Sequence, residues 1–250
     1  MLLTQPRKFS LFDVQINNDS MQEAVEKVVK PAVPGCVKTV CFVNVNTLNL
    51  AVAYKQLVGA VNDADYVFAD GSGVRIASRR QGIELRDNVN GTDMLPFLCQ
   101  RAQSEGQSLF LLGAEPGVAQ QTGVNLQKQF PGLKVAGTHH GYFGERGSNE
   151  VINEINASNA DLLLVALGSP NQEKWLQENR HALSVNTALA VGGLFDFFSG
   201  RIPRAPLWVR KIGLEWVWRL VQEPRKKFNR YVIGNPRFLF RCWLQLRKAY

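Results

Sequence analysis

Residues that hold metal ions or disulfide bridges are scarce in this sequence. Its 250 residues include four cysteines and three histidines. Neither set shows the paired spacing of a zinc site or of a disulfide framework. We therefore expect reduced thiols and no structural zinc.

Long apolar runs are also missing. The best candidate, residues 39–54, is interrupted by Asn44, Asn46 and Asn49, which argues against a membrane-spanning helix there. The first ten residues include basic side chains but lack the apolar stretch and the small-residue cleavage site of a signal peptide. The sequence therefore predicts a cytoplasmic protein rather than a secreted or integral membrane protein.

Excess positive charge is absent from the first 200 residues, where nineteen acids outnumber sixteen bases. From Arg201 to the end, thirteen lysines and arginines face two acids, a net charge of +11, and four of the five tryptophans lie in the same stretch. A mildly acidic body and a basic, aromatic tail indicate two roles, one chemical and one of attachment. We expect a catalytic α/β core at 1–200 and a helical appendage at 201–250.

Within 1–200, segments typical of strands alternate with helical segments at intervals of roughly 30 residues, which predicts βα units and a parallel sheet. The predicted strands are 9–16, 37–45, 66–69, 108–112, 133–138, 161–167 and 186–191. Helices are predicted at 21–30, with Ser20 as cap, and at 74–80. Two further helices are predicted to end at about residue 61 and at Phe130, and one is predicted to begin at Asn90 or Thr92. A last one is predicted after the strand at 161–167, with Ser169 as cap and Pro170 in the first helical position.

Small and polar residues collect in the loops that follow these strands. Ligands bind outside the carboxyl ends of the strands in open α/β sheets. The candidates for one shared site are therefore Thr47, Asn49, Asp70, Gly113, His139, Gly141, Gly168, Gln172 and Asp196. The glycine-rich turn at 113–117 opens a helix, which suits a diphosphate, although a tight turn without a ligand explains the same glycines.

Asp70 follows the strand at 66–69 and precedes Gly71-Ser72-Gly73. A carboxylate at that point can meet a substrate, but it can equally cap the helix that follows. A pair of acidic residues, Asp63 and Asp65, precedes the same strand. We expect this pair to face away from the crevice in a solvated turn rather than to bind a metal ion.

The tail contains two amphipathic segments, one at 207–222 and a second that follows Arg225-Lys226-Lys227 and extends to Lys248. In both, polar residues recur about one turn apart and leave tryptophans and aliphatic residues on a wide apolar surface. Basic amphipathic helices rich in tryptophan suit the interface of an anionic membrane. Packing on the core with a solvated basic face explains the pattern equally well. Nucleic-acid binding fits less well, because apolar side chains outnumber the groups that would contact phosphates or bases.

Three functions compete on the residues alone. A nicotinamide-dependent dehydrogenase would use Gly71 and Gly73, but Ile76 occupies the sixth position of that fingerprint, where glycine or alanine is expected. A nucleotide- or nucleic-acid-binding module without transferase activity accounts for the tail alone. A group transferase that uses an activated nucleotide accounts for the glycine-rich turns, the carboxylate and a membrane-facing acceptor together, and it is the function that we favour.

As a whole, the sequence resembles the WecG/TagA/CpsF family of bacterial glycosyltransferases. The matching motifs follow the family's order between about residue 40 and about residue 235. They are 69–74, 111–117, 141–143, 168–175, 191–196, 204–206, 214–216 and 223–224. Each motif is short, but the ordered set is specific to the family.

The resemblance implies a Rossmann-like α/β core, a parallel sheet with helices on both faces, and a C-terminal helical appendage that completes the site and contacts the membrane. It implies inverting, metal-independent transfer of a sugar from a UDP-sugar donor to a polyprenyl-diphosphate-linked saccharide in surface polysaccharide synthesis. The enzyme would work as a peripheral protein at the inner face of the bacterial membrane, with no cofactor and no nucleic-acid partner. A homo-oligomer is compatible with the resemblance.

Residue roles follow from the same resemblance. Asp70 matches the proposed general base, and Thr47 lies beside it. Arg219, Lys226 and Arg230 match basic residues expected to hold diphosphate, with lysine at 226 where arginine is common. The other residues expected to contact the donor are Asn49, Arg86, Asn90, Asp93, Gly113, Glu115, His139, Gly141, Tyr142, Gly168, Ser169, Gln172 and Asp196. The donated sugar is left open among glucose, glucuronate, N-acetylmannosamine and its uronic acid.

Overall fold

The computed structural model describes residues 6–144 and 146–248 and is built on one eight-stranded sheet. The strands are β1 (Lys8–Leu11), β2 (Val14–Asn17), β3 (Lys38–Val43), β4 (Tyr66–Ala69), β5 (Ser108–Gly113), β6 (Lys134–His139), β7 (Leu162–Ala166) and β8 (Thr187–Ala190). Their order across the sheet is β1-β2-β4-β3-β8-β7-β5-β6. β1 and β2 pair antiparallel, and the other neighbours are parallel. The predicted α/β fold with a Rossmann-like sheet is confirmed.

Helices fill most of the connections between the strands. In the described residues they are α1 (Met21–Val29), α2 (Val45–Ala53), α3 (Lys55–Asn62), α4 (Ser72–Arg80), α5 (Gly91–Glu105), α6 (Val118–Gln129), α7 (Ser148–Ala157), α8 (Asn171–Asn179), α9 (Leu194–Phe198), α10 (Leu207–Lys211), α11 (Glu215–Gln222), α12 (Pro224–Phe228) and α13 (Gly234–Lys248). A 3₁₀ turn at Arg180–Ala182 follows α8, and a π-helical turn at Asn229–Ile233 joins α12 to α13.

The sheet separates two hydrophobic cores. Successive side chains of a strand point to opposite faces, so Val43 enters the core shared with α2, α3, α4, α7, α8 and α13, while Phe42 enters the core shared with α1, α5, α6 and α9. The central parallel strands are buried on both sides, as their nearly continuous apolar sequences require. Helices therefore cover both faces, as predicted.

Local polar contacts begin two of these helices at the predicted residues. Ser20 caps α1 in a capping box, in which its side chain accepts from the Glu23 N–H and the Glu23 carboxylate accepts from the Ser20 N–H. Asn90 caps α5 by accepting from the Asp93 N–H at 2.8 Å. Both caps satisfy backbone donors that have no partner within the helix.

The structure corrects the first predicted strand. Residues 9–16 do not form one strand, because Phe12 and Asp13 adopt positive φ angles of 51° and 66° and turn the chain back into the β1–β2 hairpin. Positive φ at both central residues is the geometry of a two-residue hairpin turn, which glycine and asparagine usually mark. Neither is present here, so the alternation of apolar residues concealed the turn.

The structure also changes the helical predictions. The segment predicted as helix up to residue 61 divides at Tyr54 into α2 and α3, and no element was predicted where α7 lies. The helix predicted at 207–222 divides into α10 and α11 at Gly213, whose φ is +77°. A left-handed glycine ends a helix, so the amphipathic pattern continues across a chain that turns.

The last four helices pack partly on the core. α13 lies against α2 and α4, and its Phe238 side chain, 1% exposed, meets the Phe12 ring edge-on at 5.6 Å between centroids. Asp93 of α5 pairs with Arg204 at 2.6 Å and with Arg210 at 3.2 Å. Over the described ranges, every helix is too short or too polar to cross a membrane.

Truncating the buried side chain of Phe238 tests the packing of α13 on the core. We expect Phe238→Ala to lower the free energy of unfolding by about 3–5 kcal/mol, because it removes a fully buried ring. The matched control Phe240→Ala, at a ring that is 59% exposed on the same helix, is expected to change it by no more than about 0.5 kcal/mol. Urea unfolding of both variants measures the difference. Equal effects would contradict the docking of α13 on the core.

Candidate functional site

A cleft of about 670 Å³ opens at the carboxyl ends of β3, β4, β5, β7 and β8. Its volume is within the usual range for a small-molecule site, about 300–1,000 Å³. The loops that follow these strands form one side of the cleft, and α10 to α13 close the other. The core and the C-terminal helices therefore build one site together.

Asp70 and Asn44 lie side by side in this cleft. Val43 pairs with Ala69 in the parallel register of β3 and β4, so the next residue of each strand leaves the sheet at the same place. The Asn44 Nδ2 donates to Asp70 Oδ2 at 3.1 Å. α4 begins after Gly71 without a side-chain cap, so the interpretation of Asp70 as a helix cap is wrong.

Asn44 also connects Asp70 to Thr47. Its Oδ1 accepts from the N–H groups of Asn46 at 3.0 Å and Thr47 at 3.2 Å, and it caps α2. The Thr47 hydroxyl donates to the same oxygen at 3.4 Å. With its carbonyl end held by the helix, Asn44 presents its amide N–H to the carboxylate of Asp70.

Burial raises the pKa of Asp70 above its ordinary value, while the Asn44 hydrogen bond and the charges of Arg230 and Arg219 act in the opposite direction. A carboxylate with a raised pKa is a stronger base at neutral pH. The position and the electrostatics of Asp70 thus suit proton abstraction from a bound hydroxyl group.

Three arginines on the C-terminal side of the cleft form what we call the arginine cluster: Arg210, Arg219 and Arg230. The Nε of each is buried and has no hydrogen-bond partner among the described residues. Arg219 lies over the Phe197 ring at 4.6 Å from its centroid. A buried charged donor without an acceptor is unfavourable, so the cluster is suited to an anion with several oxygens.

Acidic groups border the arginine cluster. Burial raises the pKa of Asp196, and the charges of Arg201 and Arg219 oppose that shift. Arg201 contacts Glu115 at 2.8 Å and lies 3.9 Å from Asp196, so it connects the turn after β5 with α9. The hydrogen bond from Arg201 lowers the pKa of Glu115. Asp196 near Arg219 and Asp93 at Arg210 are therefore local counterions of the cluster.

The loops after β7 and β8 complete the cleft. Gln172 Oε1 accepts from the N–H of Gly168 at 3.2 Å and of Gly192 at 2.9 Å. The predicted cap at Ser169 is wrong: α8 begins at Asn171 with no side-chain cap, and the Ser169 hydroxyl donates to Glu173 at 2.6 Å instead.

The structure brings together many of the residues that the sequence nominated. Those that line the cleft are Thr47, Asp70, Asn90, Glu115, Tyr142, Gly168, Ser169, Gln172, Asp196, Arg219, Lys226 and Arg230. Those that lie outside its lining are Asn49, Arg86, Asp93, Gly113, His139 and Gly141. The first group comes from loops and helices that are distant in sequence, so only the fold makes these residues neighbours.

Three of the residues outside the lining form contacts elsewhere. Asn49 donates to the Gly234 carbonyl at 2.8 Å and so ties α2 to α13. Arg86 pairs with Glu23. Asp93 pairs with two arginines of the C-terminal segment, one of which, Arg210, lines the cleft. Asp93 therefore reaches the cleft through that arginine, and its charge also helps to raise the pKa of Asp70.

The other three surround the cleft without lining it. Gly113 has φ +133°, and an added Cβ would lie 2.5 Å from the carbonyl oxygen of Ala166, so only glycine fits this close approach. His139 Nδ1 lies 2.7 Å from the His140 carbonyl oxygen. Gly141 donates its N–H to the Ala114 carbonyl at 2.9 Å. Each of these contacts shapes the turns around β5 and β6.

Sequence reasoning missed several residues that line the cleft. They are Asn44, Asn88, Arg201, Arg210, Trp216, Glu223 and Lys227, among others. Asn44 could have been found from the rule that selected Asp70, had the strand been ended at Val43 instead of Val45. The basic residues had no distinguishing signal, because the tail contains many exposed cations of the same types.

The Asp63–Asp65 pair lies at the opposite end of β4 from Asp70. Asp65 accepts from the Thr39 N–H at 2.8 Å and pairs with Arg180 at 3.3 Å. Both acids are exposed in a turn, as predicted. Across the described part of the chain, no group of three or more histidines, cysteines and acids is placed to hold a metal ion.

A family model matches nearly the whole chain, and known proteins resemble most of it. Residues 9–250 match the model of the Glycosyl transferase WecG/TagA/CpsF family. An N-acetylglucosaminyldiphosphoundecaprenol N-acetyl-beta-D-mannosaminyltransferase of Bacillus spizizenii is 35% identical over 72% of this chain and 68% of its own length. Proteins of the same name are 32% identical in Bacillus subtilis (72% of each chain) and 28% identical in Staphylococcus aureus (86% and 85%). The chain therefore belongs to the WecG/TagA/CpsF family of glycosyltransferases.

Proposed function

We propose that this protein transfers a sugar from a UDP-sugar to a polyprenyl-diphosphate-linked saccharide, with inversion at the anomeric carbon and without a metal ion. The names of the three relatives describe transfer to N-acetylglucosaminyldiphosphoundecaprenol, which supports the same class of acceptor here. The observation that carries the proposal is the Asp70 carboxylate in the cleft, fixed by Asn44 and facing the arginine cluster.

Asp70 would act as general base. The acceptor hydroxyl attacks the anomeric carbon from the face opposite UDP, forming the new C–O bond as the bond to the UDP oxygen breaks. The hydroxyl proton passes to Asp70, and UDP leaves with the bonding electron pair. One displacement at one carbon inverts its configuration, and it needs a base within hydrogen-bond reach of the attacking oxygen. Asp70, whose carboxylate is oriented by Asn44, would be that base.

The arginine cluster would bind the diphosphate. UDP gains negative charge as it leaves, and fixed donors in a site shielded from water stabilise such charge without reorganising. Guanidinium groups match phosphate oxygens geometrically, and the three unpartnered Nε atoms are available for this. Lys226 and Lys227, each paired with Glu223 at 3.7 Å and 3.5 Å, add charge at the same side. Together they would replace a metal ion as the counter-charge.

The outer surface of α10 to α13 would contact the inner face of the bacterial membrane. Its exposed apolar side chains include Leu207, Trp208, Ile212, Val221, Phe228, Phe240 and Leu244, interspersed with the lysines and arginines of the tail. Apolar side chains that enter the headgroup region and cations that meet anionic lipid make a peripheral membrane surface. The same helices close the cleft, so a lipid-linked acceptor would arrive beside Asp70.

Asp70→Asn tests the base. We expect transfer to fall by about a hundredfold to ten-thousandfold, as for loss of general base catalysis, while the Kd for UDP stays within about threefold of wild type. Because the pKa of Asp70 is raised, the wild-type kcat/KM should fall on the acid side at a pH above the ordinary aspartate value of about 4. UDP release and calorimetry measure both quantities. Turnover retained by Asp70→Asn would remove Asp70 from this role.

Single substitutions in the arginine cluster test diphosphate binding. We expect Arg219→Ala and Arg230→Ala each to weaken UDP binding by about 10- to 100-fold, the value of a hydrogen bond to a charged group. Arg225→Ala is the matched control, since Arg225 is exposed and outside the cleft lining. Calorimetry in the presence of EDTA makes the comparison. If Arg225→Ala weakened UDP binding as much as Arg219→Ala and Arg230→Ala do, the diphosphate site would be refuted. If EDTA abolished UDP binding by the wild type, binding without a metal ion would be refuted.

Liposome binding tests the membrane surface. Leu207 and Trp208 are 65% and 67% exposed, and we expect the double variant Leu207→Ser/Trp208→Ser to partition less into anionic vesicles because it loses inserted apolar area. Phe97→Ser, at a 54% exposed ring of α5, serves as the control and should bind as wild type does. Sedimentation with vesicles gives the bound fraction. Equal binding by all three proteins would show that this face does not contact lipid.

A further inference from the structure

Glu173 is a buried acid that does not line the cleft but touches two residues that do. It lies in the first turn of α8 and is 1% exposed. Its Oε1 accepts from the Ser169 hydroxyl at 2.6 Å and from Gln172 Nε2 at 3.0 Å. Its Oε2 has no partner among the described residues. The two side chains that donate to the carboxyl group therefore both belong to the cleft lining.

The hydrogen bond from Gln172 fixes the direction of its side-chain amide. A primary amide has a donating NH₂ end and an accepting oxygen end. With the NH₂ end on Glu173, the Oε1 end accepts from the backbone N–H groups of Gly168 and Gly192. The reversed amide would set its NH₂ group against both N–H donors and its oxygen against a carboxyl oxygen. Glu173 thereby selects the one orientation in which Gln172 joins the two loops.

Joining these loops shapes one side of the cleft. Gly168 and Ser169 follow β7, Gly192 and Gly193 follow β8, and all four line the cleft. Gly168 and Gly192 have φ values of +77° and +60°, so both loops turn sharply at the residues whose N–H groups Gln172 holds. A side chain that bonds both turns sets the distance between them.

The hydrogen bond from Ser169 has a separate consequence. Its hydroxyl hydrogen is directed at Glu173, so the oxygen lone pairs are what Ser169 presents to the cleft. A serine in this state accepts hydrogen bonds and does not donate them. It is thus complementary to a hydroxyl or amide N–H of a bound sugar.

We propose that Glu173 is a positioning residue, which orients Gln172 and Ser169 so that the β7 and β8 loops stay joined and present an acceptor to the donor sugar. The part that concerns the sugar rests on the proposed glycosyltransfer; the joining of the loops does not. Burial raises the pKa of Glu173, and in either protonation state the carboxyl group retains an oxygen that accepts. A glutamine at 173 therefore preserves the arrangement, whereas leucine of similar size removes it.

Amide hydrogen exchange tests the joining of the loops without any substrate. In Glu173→Leu, we expect exchange at the Gly168 and Gly192 N–H groups to accelerate together by at least about tenfold, because their shared acceptor is no longer oriented. Glu173→Gln should restore slow exchange. The Ala114 N–H, which donates to the Ala166 carbonyl at 3.0 Å, is the internal control and should not change. Unchanged exchange at the two glycines in Glu173→Leu would overturn the proposal.

The wild-type protein provides a second test, which holds even if Glu173→Leu does not fold. Nuclear magnetic resonance of the Gln172 side-chain NH₂ should show one proton protected from exchange with water, since it is bonded to Glu173 Oε1. Two rapidly exchanging protons would overturn the proposed orientation.

Kinetics test the effect on the donor. We expect Gln172→Ala and Glu173→Leu each to raise the donor KM by about tenfold, with a smaller change in kcat. The double variant should lose far less kcat/KM than the product of the two single losses, because the effects of coupled residues are not additive. Multiplicative losses would show that Glu173 does not act through Gln172. Absence of transfer by the wild type would refute the proposed function alone, since the exchange measurements decide the joining of the loops.

Discussion

The parallel register between β3 and β4 sets the position of the catalytic carboxylate that we propose. With Val43 opposite Ala69, Asn44 and Asp70 leave the sheet as neighbours, and the hydrogen bond between them is a direct result of strand pairing. Asn44 is held in turn by the N-terminus of α2. Moving either strand by one residue would reverse the face of every side chain on it and separate the pair.

The C-terminal helices contribute a complementary charge rather than an independent module. Arg219 and Arg230 lie in the cleft formed by the carboxyl ends of the strands, and their charges act on the pKa of Asp70. Phe238 buries one side of α13 in the core, while the opposite side exposes apolar residues. Core packing therefore involves one face of these helices, and the membrane contact that we propose would involve the opposite face.

The fold could be predicted from sequence because strands buried on both sides carry long apolar runs, and Asp70 could be nominated because it ends such a run before two glycines. Other features depended on three-dimensional detail. The turn at Phe12 and Asp13 lacks the Asn-Gly or Asp-Gly pair that usually marks it, so the hairpin was missed. Asn49 was placed in a loop but lies within α2, where its half-buried side chain donates to the Gly234 carbonyl. Which cations enter the cleft depends on how the tail folds back.

The stereochemistry of transfer without metal is the most direct test of this account. A panel of UDP-sugars would be incubated with a prenyl-diphosphate N-acetylglucosamine acceptor and EDTA, and the one-bond carbon–hydrogen coupling at the product's anomeric carbon would identify its configuration. The account predicts that one donor gives product in EDTA with the anomeric configuration inverted. Product of retained configuration, or product formed only when a divalent cation is restored, would contradict direct displacement assisted by Asp70 and the arginine cluster.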